Sequence, residues 1–126
     1  MNGTALVRRP SSRLAEGIVT HISRTLVDVE LARSQHAAYG DALAASGWAI
    51  RPAPAADDCP DSVFVEDAVV VCEDLAVLAR PGAAVRRPEV DGVAQASHVV
   101  ALGSWREFAE AGGDCVEGRF LIESRH

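Results

Sequence analysis

Residues 60–80, PDSVFVEDAVVVCEDLAVLAR, contain two apolar runs separated by a pair of acids. The two runs Val63–Cys72 and Leu75–Ala79 are rich in valine and other apolar residues, as is typical of β-strands. The acidic pair Glu73-Asp74 separates the runs and predicts a tight turn between them. We therefore expect an antiparallel β-hairpin that ends at Pro81-Gly82.

Helical and extended patterns surround this hairpin. Asp28 is a good N-cap for a helix that runs to about Ala45 and stops at Gly47. A stripe at helical spacing supports this helix and consists of Leu31, Gln35, Ala38 and Ala42, with Tyr39 and Leu43 beside it. The other predicted elements are strands at Thr4–Arg8, Trp48–Arg51 and His98–Leu102 and a short helix from Pro88 to about Ala96. This order predicts a mixed α/β fold.

A faint internal repeat indicates how these elements are organised. Asp67 opens an apolar run that is followed by a turn and a second run, and Asp114 opens a similar series 47 residues later. This distance suits one ββαβ unit, and such units bury their faces only against neighbouring units. The length of 126 residues predicts one domain, residues 1–126, containing about two of these units.

Composition excludes several functional classes. The chain is 48% hydrophobic and 24% charged, and its net charge of −6 argues against a nucleic-acid binder. No apolar stretch approaches the roughly 18 residues of a membrane span. The three cysteines have no metal-type spacing, so we expect reduced thiols in the cytoplasm. The four histidines form no pair at metal-ligand spacing, and no phosphate-binding glycine motif is present, so we expect no metal and no cofactor.

Two adjacent carboxylates, Glu66 and Asp67, interrupt the first apolar run. One alternative is that the strand ends there and both acids are solvated. The other is that they bind a ligand, since apolar strands rarely hold charges without a partner. Neighbours on a regular strand face opposite sides, so the second alternative requires an irregular backbone, and we then expect at least one acid to be largely buried. The arginines nearby are either a solvated basic loop or binding groups for a carboxylate, and they are Arg80, Arg86 and Arg87.

Three motifs resemble those of the dimethylarginine dimethylaminohydrolases. They are VRRPSSRL at residues 7–14, PDSVFVED at residues 60–67 and ARPGAAVRRPEV at residues 79–90. The helical segment VDVELARSQH at residues 27–36 is also similar. The resemblance covers residues 4–96 and weakens over residues 97–126, where Gly112-Gly113-Asp114 is the remaining signature. It implies the fold of the guanidino-group-modifying enzymes, a five-bladed α/β propeller of ββαβ units.

The resemblance also implies the activity and the substrate-binding residues. These hydrolases convert methylated arginine to citrulline and dimethylamine without a cofactor. Glu66 and Asp67 would contact the substrate guanidinium, Asp61 its α-amino group and Arg86 its α-carboxylate. Leu14 would lie on a mobile loop that covers the pocket, and Arg125 matches a later substrate-binding arginine of the family.

The catalytic cysteine and histidine of the family have no counterpart in these residues, and Cys59, Cys72 and Cys115 are not candidates to replace them. The acid that precedes Gly-Gly-Asp in the family is replaced by Ala111, with Glu110 one position earlier. We therefore expect a truncated hydrolase that is inactive alone. The alternatives are a non-catalytic module that binds arginine-like cations and a non-functional remnant. Open sheet edges also lead us to expect self-association.

Overall fold

The computed structural model describes residues 3–72 and 75–97. Within these ranges the chain is mixed α/β, as the sequence predicts. The strands are β1 (Gly3–Val7), β2 (Trp48–Pro52), β3 (Val69–Cys72) and β4 (Leu75–Leu78), and the helices are α1 (Val29–Ala45) and α2 (Glu89–Ser97). Three short 3-10 helices lie at Leu14–Glu16, Val65–Asp67 and Ala84–Arg86.

The strands form two separate two-stranded sheets. β1 and β2 are parallel, with Gly3 opposite Trp48 and Val7 opposite Pro52, and α1 connects them in a βαβ arrangement. β3 and β4 are antiparallel, with Val69 opposite Leu78. The predicted hairpin and the predicted strands at both ends of α1 are therefore confirmed, but no closed sheet is found among the described residues.

The prediction that the first hairpin strand begins at Val63 is wrong, because β3 begins only at Val69. Between these residues the backbone forms successive turns in which Phe64 donates to the Asp61 carbonyl and Asp67 donates to the Phe64 carbonyl. Ser62 is fully buried, and its hydroxyl donates to the Ala56 carbonyl. These local hydrogen bonds, made by turn-forming residues, override the β-propensity of the intervening valines and phenylalanine.

Helix α1 begins and ends where the sequence predicts. The Asp28 side chain accepts a hydrogen bond of 2.9 Å from the Leu31 amide. Gly47, just beyond the helix, has a φ of 91°, a left-handed conformation that suits glycine. The residues of the helical stripe, Leu31, Gln35, Ala38 and Ala42, are exposed. The partly buried positions of α1 are instead Val29, Ala32, Arg33, His36, Gly40 and Leu43.

One apolar core joins the two sheets. It contains Leu6 of β1, Ala53 after β2, Val69 of β3 and Val93 of α2, together with Val65 and Ala68. Each is at most 5% exposed, so this core fixes the position of the turn at residues 61–68 against β1. The predicted second helix is confirmed to within a residue, as Glu89–Ser97.

The predicted strand His98–Leu102 and the second copy of the repeat, beginning at Asp114, lie outside the described residues. Within residues 3–72 and 75–97, no helix has the length and apolar character needed to cross a membrane.

Candidate functional site

The two acids that interrupt the apolar run lie in the 3-10 helix Val65–Asp67. The backbone is therefore irregular at Glu66, as the ligand-binding alternative requires. Both acids are exposed, however, so the expectation that one of them is largely buried is wrong. The reason is that the helical turn places Val65 and Ala68 in the core and leaves the two residues between them on the outside.

Asp67 and Arg86 lie in direct contact. Arg86 Nη1 donates to Asp67 Oδ2 at 2.8 Å, across 19 residues of sequence. The Asp67 side chain is 51% exposed and the Arg86 side chain 18%, so the pair lies where the site opens to solvent. The same arginine donates from Nη2 to the Asp61 carbonyl at 3.3 Å. Three of the predicted site residues are thus brought together.

A carboxylate inside the protein, Glu89, holds the other edge of Arg86. Arg86 Nε donates to Glu89 Oε1 at 3.2 Å and Nη2 donates to Oε2 at 3.0 Å. Burial alone would lower the pKa of Arg86, but the hydrogen bonds that Arg86 donates to Glu89 and Asp67 outweigh this effect, and the pKa of Arg86 is raised. Arg86 is therefore a permanent cation with one edge engaged internally and one nitrogen, Nη1, directed at an exposed acid.

Behind Glu89 lies a second buried guanidinium, that of Arg8. Both residues are 1% exposed. Arg8 Nη1 donates to the Glu89 carbonyl at 3.0 Å and Nε donates to the Pro54 carbonyl at 2.8 Å. Burial lowers the pKa of Arg8, while the nearby charge of Glu89 opposes that effect. Charges of alternating sign, Arg8, Glu89, Arg86 and Asp67, thus run from the interior to the surface.

This arrangement explains a glycine inside α2. A Cβ on Gly92 would lie 2.7 Å from Arg8 Nη2, closer than real side chains approach. Glycine normally weakens a helix interior, but here it makes room for the buried guanidinium. The role of Arg8 and Glu89 was not predicted from the sequence. A glycine in the middle of a short helix, three residues after a glutamate, was the available signal.

Asp61 supports the loop that carries Leu14. Asp61 is 9% exposed, and its Oδ2 accepts a hydrogen bond of 3.0 Å from the Ile18 amide. A Cβ on Gly17 would lie 2.5 Å from Asp61 Oδ1, so only glycine permits this approach. Leu14 begins the 3-10 helix just before this point and is partly buried. The loop beyond it exposes apolar side chains, namely Ile18, Val19, Ile22, Leu26 and Val27.

Glu66 lies elsewhere, on the rim of a groove of about 560 Å³. The groove runs beside β1, between α1 and residues 63–66, and its lining includes Leu6, Tyr39 and Phe64 but not Asp61, Asp67 or Arg86. Glu66 therefore lines this groove, whereas Asp67 does not. The expected self-association through open sheet edges stays a prediction, as does the role of Arg125, which lies outside the described residues.

The described part of the chain contains few groups suited to act as nucleophiles or to bind a metal ion. Cys59 is a free, buried cysteine whose pKa is raised by burial, so its thiol is neutral at physiological pH. In residues 3–72 and 75–97, no group of three or more histidine, cysteine or acidic side chains is placed to hold a metal ion. The described residues thus offer charged binding groups and an unreactive thiol.

Comparison with known proteins defines the class first. No protein-family model matches the chain. A solved structure of dimethylarginine dimethylaminohydrolase from Pseudomonas aeruginosa, a cysteine-to-serine mutant complexed with citrulline, superimposes with a TM-score of 0.73 at 31% identity, covering 82% of this chain and 42% of that one. A second solved structure is a histidine-to-glycine variant of a dimethylarginine dimethylaminohydrolase in an adduct with S-methyl-L-thiocitrulline. It superimposes with a TM-score of 0.71 at 30% identity and covers the same shares of the two chains. The chain has the α/β fold found in these structures.

Sequence comparison then names the relatives. The N(G),N(G)-dimethylarginine dimethylaminohydrolase of Streptomyces coelicolor is 52% identical over 118 residues, which are 90% of this chain and 45% of that protein. The protein of that name from Pseudomonas aeruginosa is 37% identical over 87 residues, 68% of this chain and 34% of its own length. The chain is therefore dimethylarginine dimethylaminohydrolase-like and similar to the N-terminal portion of these proteins. It spans less than half of their length.

Proposed function

We propose that this sequence takes part in the hydrolysis of methylated arginine to citrulline and dimethylamine, and that these residues supply binding groups for the substrate. The identity of 52% to a dimethylarginine dimethylaminohydrolase supports the reaction. The citrulline complex of a relative with the same fold supports the ligand class. The single observation that carries the assignment to this chain is the contact between Asp67 and Arg86 at 2.8 Å, beside Asp61.

Opposite charges suit the two ends of such a ligand. An arginine derivative carries a cationic guanidinium at one end and an α-carboxylate and an α-ammonium at the other. In our proposal Asp67, with Glu66, binds the guanidinium, Arg86 binds the α-carboxylate and Asp61 binds the α-ammonium. Leu14 and, in the part of the chain not described, Arg125 complete the set. Carboxylates and guanidiniums form paired, charge-assisted hydrogen bonds, so each contact is strong and directional.

In our proposal, ligand binding displaces the present partners of these groups. Asp67 and Arg86 neutralise each other at 2.8 Å, and the Asp61 carboxylate accepts from the Ile18 amide at 3.0 Å. The ligand guanidinium would replace Arg86 beside Asp67, the α-carboxylate would replace Asp67 beside Arg86, and the α-ammonium would replace the neutral amide of Ile18. The exchange therefore leaves no charge unpaired, whereas a ligand with only one charged end would strand Asp67 or Arg86.

The same proposal extends to the fold. We assign the chain to about two ββαβ units of an α/β propeller. The parallel βαβ connection and the following antiparallel hairpin support this assignment. We also place the protein in the cytoplasm, where a thiol such as that of Cys59 stays reduced.

Two assays test the function. We expect the purified 126-residue chain to form no citrulline from dimethyl-L-arginine, since no residue assigned here supplies a thiolate nucleophile. We expect it to bind L-arginine saturably, with affinity reduced about tenfold in Asp67→Asn. Asp91→Asn, on the exposed side of α2, is the matched control and should leave the affinity unchanged.

Citrulline formation that is lost in Cys72→Ser or Cys115→Ser would contradict the assignment of these residues to binding alone. Equal affinities of the wild-type chain and Asp67→Asn would contradict the site.

A further inference from the structure

The carboxylate of Glu89 is unusual because it is buried and yet is hydrogen-bonded to an arginine that reaches the surface. The Glu89 side chain is 2% exposed, and both of its oxygens accept hydrogen bonds from Arg86. A buried carboxylate is costly unless it is paired and fully hydrogen-bonded. The Glu89 carboxylate meets this requirement through Arg86, which donates to both of its oxygens. The nearby charge of Arg8 and the position of Glu89 as the first residue of α2, where the helix dipole favours a negative charge, also stabilise it.

The contacts divide the guanidinium of Arg86 into two functional edges. Glu89 occupies Nε and one hydrogen of Nη2, and the Asp61 carbonyl occupies the other hydrogen of Nη2. Nη1 carries the remaining two hydrogens, and Asp67 is the partner at 2.8 Å. A ligand can therefore reach Arg86 at Nη1, and the plane in which Nη1 lies is fixed by Glu89.

We propose that Glu89 is a positioning residue, which acts through Arg86 to set the direction of the hydrogen bond that Arg86 offers to the α-carboxylate of the ligand. This proposal rests on the proposed function, because it takes Arg86 as the group that binds the carboxylate. Glu89 itself, inside the protein, touches no ligand. Arg8 restrains the backbone of Glu89 from the other side, and Gly92 provides the space for Arg8.

A role in positioning differs from a role in stability in what it predicts for two ligands. L-Arginine carries both a guanidinium and a carboxylate, whereas agmatine carries the guanidinium and the amine without the carboxylate. If Glu89 orients Arg86 toward the carboxylate, its loss weakens binding of L-arginine and spares agmatine. If Glu89 only stabilises the fold, its loss weakens both ligands equally.

The experiment measures the dissociation constants of L-arginine and agmatine for the wild-type chain, Glu89→Gln and the control Asp91→Asn. Glu89→Gln keeps the size of the side chain and removes its charge. We expect Glu89→Gln to weaken L-arginine binding about tenfold, because the hydrogen bond from Arg86 to the ligand carboxylate loses its direction. Agmatine binding should change by less than about twofold. An equal loss for both ligands, or no loss for either, would overturn the proposal.

A second measurement uses the wild-type chain, in case Glu89→Gln does not fold. The ¹⁵N resonance of the Arg86 Nε–H reports the contact with Glu89 directly. We expect the exchange of this hydrogen to be slow both without ligand and with saturating L-arginine. The reason is that Glu89 stays hydrogen-bonded to Arg86 while Nη1 exchanges Asp67 for the ligand carboxylate. Fast exchange in the L-arginine complex would mean that Glu89 releases Arg86, and would overturn the proposal.

These outcomes separate the two levels of inference. A wild-type chain that binds neither ligand contradicts the proposed function and, with it, the role of Glu89. A wild-type chain that binds L-arginine, with an unchanged ratio of the two affinities in Glu89→Gln, contradicts only the role of Glu89.

Discussion

Helices α1 and α2 are held in place by different means. α1 has 17 residues, none of them buried, whereas α2 has nine residues, of which Glu89, Val93 and Ser97 are buried. α1 begins at the Asp28 cap and ends at Gly47, so local interactions define it. α2 is defined by the core and by the ion pair between Glu89 and Arg86. The longer helix, α1, therefore contributes less to the architecture around the site than the shorter helix, α2.

The largest difference should appear when one apolar side chain is shortened in each helix. Val93 is fully buried against the core, so Val93→Ala should lower the free energy of unfolding by about 2 kcal/mol. Leu31 is 54% exposed, so Leu31→Ala should change it by less than about 0.5 kcal/mol. Urea unfolding of the two variants measures both values. Equal effects would mean that α1 is packed as tightly as α2.

Replacing a glycine with alanine in each helix should give effects of opposite sign. No atom lies within 4 Å of a Cβ on Gly40 in α1, so Gly40→Ala should stabilise the chain by up to about 1 kcal/mol through helix propensity. A Cβ on Gly92 would lie 2.7 Å from the buried Arg8 Nη2. Since Arg8 is hydrogen-bonded at Nε and Nη1, it must give up contacts, and Gly92→Ala should destabilise by about 1–2 kcal/mol.

Thermal melting followed by circular dichroism measures both glycine variants on the same scale. If Gly92→Ala stabilised the chain as Gly40→Ala does, the buried position of Arg8 would be contradicted.

The first turn of α1 provides a third test. Asp28→Ala removes the acceptor of the Leu31 amide and should cost about 1 kcal/mol. Because α1 is held mainly by local contacts, we expect the loss to appear as fraying of its first turn, seen in backbone amide exchange. Protection in α2 should remain at the wild-type level. A concerted loss of protection in both helices would show that α1 and α2 unfold as one unit.

The smallest effect concerns His36, on the partly buried face of α1 beside the groove. Burial lowers the pKa of His36 in the folded chain. The unfolded chain therefore takes up a proton first as the pH falls below about 6.5, and stability decreases. His36→Gln should flatten this slope between about pH 7 and pH 5.5, and Leu31→Ala should retain it. An unchanged slope in His36→Gln would contradict the burial of the imidazole.

What the sequence predicts follows the same division between local and tertiary control. The limits of α1 could be predicted because Asp28 and Gly47 act within one helical turn. The side of α1 that packs against the rest of the chain could not be predicted. Alanines occur on all sides of the helix, and the buried side is determined by its contact with β2. Local propensity predicts a strand over residues 63–68, where the chain instead forms a turn, since the hydrogen bonds of the turn depend on the burial of Ser62.

The candidate site shows a similar limit. The acids and Arg86 were identified through motifs, while Arg8 and Glu89, 81 residues apart, meet only in the folded chain. The charge of Glu89 gave no sign of its burial, because glutamate near the start of a helix is common on solvent-exposed faces. A contact between residues so far apart in sequence depends on tertiary packing and cannot be predicted from local spacing.

Our central proposal is that Asp61, Asp67 and Arg86 form the ligand site of this chain. A titration of the ¹⁵N-labelled chain with L-arginine, followed by two-dimensional NMR, tests it most directly. We predict saturable shifts at these three residues and at Ile18, whose amide donates to Asp61 in the free chain. The absence of saturable shifts, or shifts confined to the groove at Leu6, Tyr39 and Phe64, would contradict the claim.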